Sequence, residues 1–407
     1  MKVDCSIAEA VDYSMVDVVI LHYSIVISSG AYIRQNLREK LTDFRGLKIV
    51  FIQDEYRWID RTAEAMRDIG VHVVFSVIDP QTVRKVYHHP WFAGTRFEYT
   101  LTGFVPDHLA QRPVPSYADR PLDVGYRARK LPAWYGRHAL QKWQIAEAFS
   151  ADAARYGLKV DISTRETDRI YGDAWIDFVA SCRAVLGTES GASVCDFTGE
   201  IQQKVEQHLL HDPDATFEQL RDLYFADVDE RIVIRAISPR CFEAAALRTL
   251  LIMYPGRYSD ILEPGRHYVP LNTDHSNMDE VVEVLRSPKR AKEIIDTAFE
   301  EIILSRRWSH EALCAQLDRV ISEEAGPPVG RPMSKRHIDR IEKKMRAAVR
   351  RENLKVSLAM FAARAEGAVL DASRRYLPQP LQRLAARTMR FSHELARRLA
   401  KRLLVKG

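Results

Sequence analysis

The feature that most constrains this chain is a series of short, unbroken apolar runs separated by helix-length segments, and the series occurs twice. In the first series Val16–Ser24 (VDVVILHYS), Leu47–Ile52 (LKIVFI) and Val71–Val77 are continuous rather than alternating. Strands buried on both faces of a parallel sheet have that composition. Helices are expected from Ser28-Ser29-Gly30 through about Lys40 and from about Trp58 to Asp68, with a weaker fourth strand near Phe97–Leu101. Strands alternating with helices imply βαβ units and a doubly wound α/β sheet. Gly103-Phe104-Val105-Pro106 and the proline-rich stretch through Pro121 read as a linker. The series then restarts: strands at Leu122–Arg127, Val160–Ser163, Ala184–Gly187 and Thr249–Tyr254, and helices near Gly136–Tyr156, Trp175–Ser181 and Met278–Glu324. The organisation is thus two Rossmann-like domains, residues 1–110 and 111–325, and a tail, residues 331–407, beyond a Gly326–Gly330 hinge.

Two domains suit a chain of 407 residues that is 46% hydrophobic. There is no apolar run of membrane-spanning length, and acidic residues stand where a signal peptide needs an apolar core, so a cytoplasmic location is expected. Cys5, Cys182, Cys195, Cys241 and Cys314 form no CxxC pair and read as reduced thiols. The charge is uneven: residues 331–407 hold 21 Lys/Arg against 6 Asp/Glu, the rest 39 against 49. Helices are expected at about Lys335–Leu370 and Leu381–Leu404. In the second, Leu381, Leu384, Phe391, Leu395 and Leu399 share a face flanked by arginines, which suits an anionic membrane surface. Packing on the acidic body, self-association into a homo-oligomer and a nucleic-acid arm are the alternatives. Sparse aromatic interleaving and the lack of a binding motif argue against nucleic acid.

The densest chemical signal is Ile237–Gly256, ISPRCFEAAALRTLLIMYPG. Ser238 and Pro239 read as a helix start, whose N–H groups together with Arg240 suit phosphate. Glu243, one turn on, can accept hydrogen bonds from two neighbouring hydroxyls, as a ribose presents. An ordinary capped helix with a solvated glutamate is the other reading. In the first domain His22, Asp54 and Glu55 follow strands, where ligands of parallel sheets bind. Each can act as general base toward an acceptor hydroxyl, position it, or cap local structure. No His/Asp cluster has convincing metal spacing.

The runs SPRCFEAAALRTLLI, GRYSDILEPGRHYVPL and SNMDEVVEVLRS, in that order, resemble the C-terminal half of a GT-B glycosyltransferase. The likeness spans roughly residues 15–325 and is nearest the group-1, family-4-like enzymes and the spore-maturation-type branch. It implies transfer from a nucleotide-sugar, UDP- or GDP-linked, with no further cofactor and no metal. The acceptor it implies is a saccharide or lipid-linked species in surface polysaccharide or glycoconjugate synthesis. It implies further that Glu243 holds the donor ribose, that Arg127 and Lys142 neutralise the diphosphate with Arg129 as competitor, and that Tyr171 meets the base. The loop Tyr258–Leu271, with Ser259, Glu263, Arg266 and His267, is implied at the donor site. A closing helix near Trp308–Ile321 is expected to cross back to the first domain.

The chain departs from the family in two ways. It lacks a Gly-rich first loop, and the family's paired glutamates, eight apart, are broken because Arg235 stands eight before Glu243. Glu189-Ser190-Gly191 is expected to be the first half, displaced by a helical insertion from about Phe197 to Arg231, a plain turn being the alternative. A nucleotide-sugar epimerase on the same fold and a non-catalytic nucleotide-binding membrane scaffold remain as other functions.

Overall fold

A computed structural model describes residues 13–325 except Pro106, and parts of 334–350. The body, Asp12–Arg331, forms one compact unit. The rest belongs to a second unit, in which the described stretches of 334–350 are helical and Arg346 pairs with Glu342 at 2.9 Å. Most of the expected tail helices, including all of the second, lie outside the described residues, as does Cys5. No helix among the described residues is long and apolar enough to cross a membrane.

The first sheet is parallel and four-stranded: β1 (Val18–Leu21), β2 (Leu47–Ile52), β3 (Val73–Ser76) and β4 (Arg96–Tyr99), in that spatial order. Helices α1 (Gln35–Asp43) and α2 (Ile59–Ile69) connect the first three strands, burying Leu37, Leu41, Ala63 and Met66. Because the order never reverses, this sheet is not doubly wound as expected. Crossovers of one hand stepping in one direction leave the other face bare. That face carries Leu47, Ile49, Val73 and Phe75, and it is covered by Val320, Leu317 and Ile321 of a helix from the far end of the body, His310–Glu324. The crossing-back helix is therefore structurally part of the first lobe. Arg96 fastens it through Glu323 at 2.7 Å and Glu324 at 2.9 Å.

The second sheet contains β5 (Leu122–Arg127), β6 (Val160–Ser163), β7 (Cys182–Gly187), β10 (Leu250–Met253) and β11 (Val269–Pro270), ordered β11-β10-β7-β5-β6, all parallel. Here the order does reverse, between β5 and β7, and α/β sheets open a ligand crevice at such a switch point. Helix α3 (Arg137–Arg155) follows β5, and α4 (Asp173–Ser181) precedes β7. A two-stranded ribbon, β8 (Ser190–Ala192) with β9 (Ile234–Ala236), closes the ends of the insertion on each other. The insertion itself holds α5 (Glu200–His211) and α6 (Phe217–Tyr224). Helix α7 (Pro239–Ala246) leads into β10, and α8 (Met278–Arg286), α9 (Pro288–Ala298) and the crossing-back helix, α10, complete the body.

Two parallel α/β lobes facing a cleft are the GT-B arrangement the sequence leads one to expect. The linker, however, is not loose chain: Leu101, Val105 and Leu109 are buried in one core with Ile237 and Phe242 of the second lobe.

Candidate active site

A cleft of about 540 Å³ lies at the carboxyl ends of β5 and β7 and is walled by both lobes. That volume lies within the usual range for small-molecule sites, about 300–1,000 Å³. The second lobe contributes Arg129, Lys142, Trp175, Ser238, Arg240 and Glu243, and the first contributes Gln53, Asp54, Glu55 and Tyr56. Arg127 and Tyr171 also reach the wall.

Helix α3 carries Lys142 and is fixed at its start. Gly136 has φ +85°, and a Cβ there would run into Ser193 Oγ and Asp229 Oδ1. Those same side chains accept the first helical amides: Arg137 N–H donates to Asp229 at 3.2 Å and His138 N–H to Ser193 at 3.0 Å. Lys142 then stands half-buried with no carboxylate partner among the described residues. Burial first, then Arg240 and Arg129, bring its pKa down to about 8, while Asp54 across the cleft opposes the shift. Arg129 is exposed and, like Lys142 and Arg240, has no carboxylate partner among the described residues. Three convergent cations without an anion suit a polyanion such as a diphosphate.

Arg127 is occupied differently from expectation. Its guanidinium pairs with Asp161 at 2.8 Å, donates to the Asp161 and Asp168 carbonyls, and lies over Phe178. It secures the end of β5, and the free cation is its competitor, Arg129.

Ser238 caps α7 by position, without a side-chain cap bond, and Pro239 occupies the first turn. Arg240 donates to the Arg127 carbonyl and stacks over Trp175, 5.0 Å from the ring centre. Glu243 accepts from the Trp175 indole N–H at 2.7 Å. Trp175 is thus a positioning residue for both, and sequence reasoning passed over it. The only available signal was that Trp175 closes the same short run, YGDAW, that carries Tyr171. Tyr171 is largely exposed at the cleft edge, with Arg169 over its ring.

On the first lobe the three acceptor-side candidates separate. Asp54 is exposed in the cleft, takes a left-handed φ of +58°, and accepts from Tyr56 OH at 2.9 Å. Glu55 is buried, and burial pushes its pKa up to about 8 despite hydrogen bonds from Ser76, Tyr87 and the Val77 amide. A carboxyl that keeps its proton at neutral pH is an acid and a strut, not the expected base. His22 walls neither this cleft nor the cavity beside it; it bonds to Ser24 and its ring leans on Tyr23, tilted by 39°.

Glu189 is likewise turned to support. It is buried, accepts from the Arg257 and Tyr258 amides at 3.0 and 2.9 Å, and pairs with Arg235 at 3.4 Å. Tyr258, Ser259 and Asp260 all have positive φ, and this carboxylate anchors the start of that turn. Its neighbours Thr188, Ser190 and Gly191 do wall the cleft. Arg266 and His267 pair with Glu301 away from it. His138, one turn before Lys142, is buried with an unpartnered Nε2; burial and then Arg235 lower its pKa to about 4.

Among the described residues no group of three His, Cys, Asp or Glu side chains could hold a metal ion. The sequence's Asp-x-Asp triplets, Asp212–Asp214 and Asp227–Asp229, lie in the insertion, where Asp229 is buried against Arg221 and Ser193.

No family model matches the chain, and no curated protein matches it either. Solved structures do. An alpha-glucosyltransferase (AGT) in complex with UDP is 9% identical over 75% of this chain and 80% of its own, with TM-score 0.44. TarM is 12% identical over 77% and 56%, with TM-score 0.41. HepE from Anabaena, in complex with UDP-glucose, is 13% identical over 75% and 79%, with TM-score 0.40. Likenesses this distant assign no role to any residue here, so the site is argued from its own geometry.

Proposed function

We propose that the chain is a glycosyltransferase that moves a sugar from a UDP- or GDP-linked donor to a saccharide or lipid-linked acceptor. One observation carries this reading: Arg129, Lys142 and Arg240, without carboxylate partners among the described residues, converge beside Glu243 in an interlobe cleft. A diphosphate meets the cations, and a ribose meets Glu243 one helical turn away. Tyr171 is assigned to the base, and Ser238 with the start of α7 to the phosphate side. Arg127 contributes by holding β5 and accepting from Arg240.

In the transfer step the acceptor oxygen bonds to the anomeric carbon as that carbon's bond to the diphosphate oxygen breaks. The acceptor proton passes to a base, for which Asp54 is the exposed carboxylate at the right wall. The leaving group's charge develops against the three cations, the kind of fixed electrostatic support that contributes most to such catalysis. A second cavity abutting Asp54 favours transfer over isomerisation of a free donor.

Calorimetric titration with UDP and with GDP tests the donor site. Binding of at least one, weakened by K142M and by R240M, is expected; binding of neither would sink the reading. The basic segment 331–407 is assigned to an anionic membrane at the cytoplasmic face, supported by its charge excess. Liposome flotation with and without it is the check, and equal partitioning discards that assignment.

A further inference from the structure

We propose that the second cavity is the acceptor site and selects a saccharide bearing an anionic group, phosphate or carboxylate, through Arg57 and Arg61. The inference rests on the transfer reading above, because only a transferase has an acceptor to select.

This cavity, about 390 Å³, opens at the carboxyl ends of β1 and β2 and shares Gln53, Asp54 and Glu55 with the donor cleft. An acceptor seated there therefore lies against the wall that carries Asp54. Its surface combines two exposed aromatic rings, Tyr23 and Trp58, with the guanidinium groups of Arg57 and Arg61. Rings of this kind take the C–H faces of a pyranose, while arginine forks take carboxylate or phosphate with two parallel hydrogen bonds.

The charge on the two arginines is not cancelled locally. Among the described residues neither has a carboxylate within ion-pair distance. Each instead lies over a ring at 5.8 Å, Arg57 over Trp134 and Arg61 over Trp58. Such contact directs a guanidinium without neutralising it. Of the acidic groups nearby, Asp60 pairs with His89 at 3.3 Å and burial holds Glu55 toward its protonated form, while Asp54 is the exposed acidic side chain of the wall shared with the donor cleft.

The loop that presents these groups is also held in place at a cost. Asp54 and Trp58 both have left-handed φ, +58° and +53°, a strained conformation for a non-glycine residue that persists where surroundings enforce it. The enforcement comes from the other lobe's insertion. Asp196 N–H donates to the Tyr56 carbonyl at 2.8 Å, and Asp60 N–H to the Phe197 carbonyl at 3.0 Å. The Trp58 indole donates to Gln202 at 3.3 Å, and Gly199 sits so near that ring that a Cβ would meet it at 2.7 Å. The insertion is thus a strap that sets Arg57 and Trp58 before any ligand arrives, which lowers the ordering cost of binding.

Ligand-observed NMR on the full chain saturated with UDP tests this, with methyl glucoside, glucose 6-phosphate and glucuronic acid as probes. At least one anion should bind about tenfold more tightly than the neutral sugar, the scale expected for one charged hydrogen-bonding group. Which anion is preferred tells phosphate from carboxylate. R57Q/R61Q should abolish the preference while UDP affinity stays within twofold, and R57K/R61K should keep part of it. Equal binding of the three probes, a preference that survives R57Q/R61Q, or a short DNA duplex displacing the sugars overturns the proposal. A chain that binds the anions but not UDP would sink the donor reading and leave this site standing.

Discussion

Glu243 and Trp175 are joined by a 2.7 Å hydrogen bond from the indole N–H to Oε2, and the same indole lies under Arg240. One side chain of α4 thereby sets the direction of both the carboxylate assigned to ribose and a cation assigned to phosphate. Each carboxylate oxygen can accept more than one hydrogen bond, so the indole leaves capacity for two hydroxyls. W175F keeps a ring beneath Arg240 but removes the donor. It should weaken UDP binding by roughly tenfold, the value of one hydrogen bond to a charged group. E243A should cost at least as much. Calorimetry checks both, and unchanged affinity in W175F would disconnect Trp175 from the site.

Lys142 gives the donor site a pH signature. Burial and the facing arginines hold its pKa at about 8 in the free protein. A bound diphosphate favours the charged form and raises that pKa, so binding takes up a proton wherever the free lysine is partly neutral. Affinity for UDP should therefore be level below about pH 7 and fall as pH rises through 8. K142M should bind less tightly at pH 7 and lose most of the dependence. Titrations at pH 6.5, 8 and 9 measure it.

Much of the fold was legible because the β strands are short, apolar and bounded by turns. Val160–Ser163 and Leu122–Arg127 are where sequence places them, and the crossing-back helix was expected. The winding of the first sheet was not legible. Strand order depends on which edge each new strand joins, and nothing local in VHVVFSV encodes that. The site divided along similar lines. Arg127 and Arg129 are both basic residues after one strand, and only Asp161, brought alongside by β6, decides which is neutralised. Glu189 reads as a ligand to sugar because it stands in a small, glycine-containing turn, but its carboxylate meets the amides of Arg257 and Tyr258, far along the chain. The second cavity joins Tyr23 to Trp58, which the insertion holds through Gln202, a meeting that no single stretch announces.

Arg120 tests how the second lobe is tied at its other end. Its buried guanidinium donates to the Cys182 carbonyl at 2.8 Å, Thr249 Oγ1 at 2.6 Å and the Leu247 carbonyl at 2.9 Å, joining the interlobe chain to β7 and to the turn before β10. R120M removes the donor to these acceptors, and each buried acceptor left unmatched costs about 1–3 kcal/mol. Urea unfolding should show a loss of roughly 3 kcal/mol, with R120K recovering only part.

Glu55 makes the body's stability depend on pH in the direction opposite to a salt-bridged carboxylate. Its folded pKa, raised by burial to about 8, lies above the ordinary value of 4.5. The folded state therefore holds the proton more tightly than the unfolded chain does. This contribution is fully present below about pH 4.5 and is lost as pH rises toward 8. Between those limits it declines by at most about 1.4 kcal/mol per unit, one proton's worth. Gln at position 55 keeps an acceptor for Ser76 and the Val77 amide but cannot ionise. E55Q should accordingly be less stable than the native chain at pH 5.5, and the gap should narrow or reverse by pH 8. Melting temperatures of the two proteins across that range decide it: a constant difference would mean that Glu55 is ionised throughout, and it would restore this residue as a candidate base.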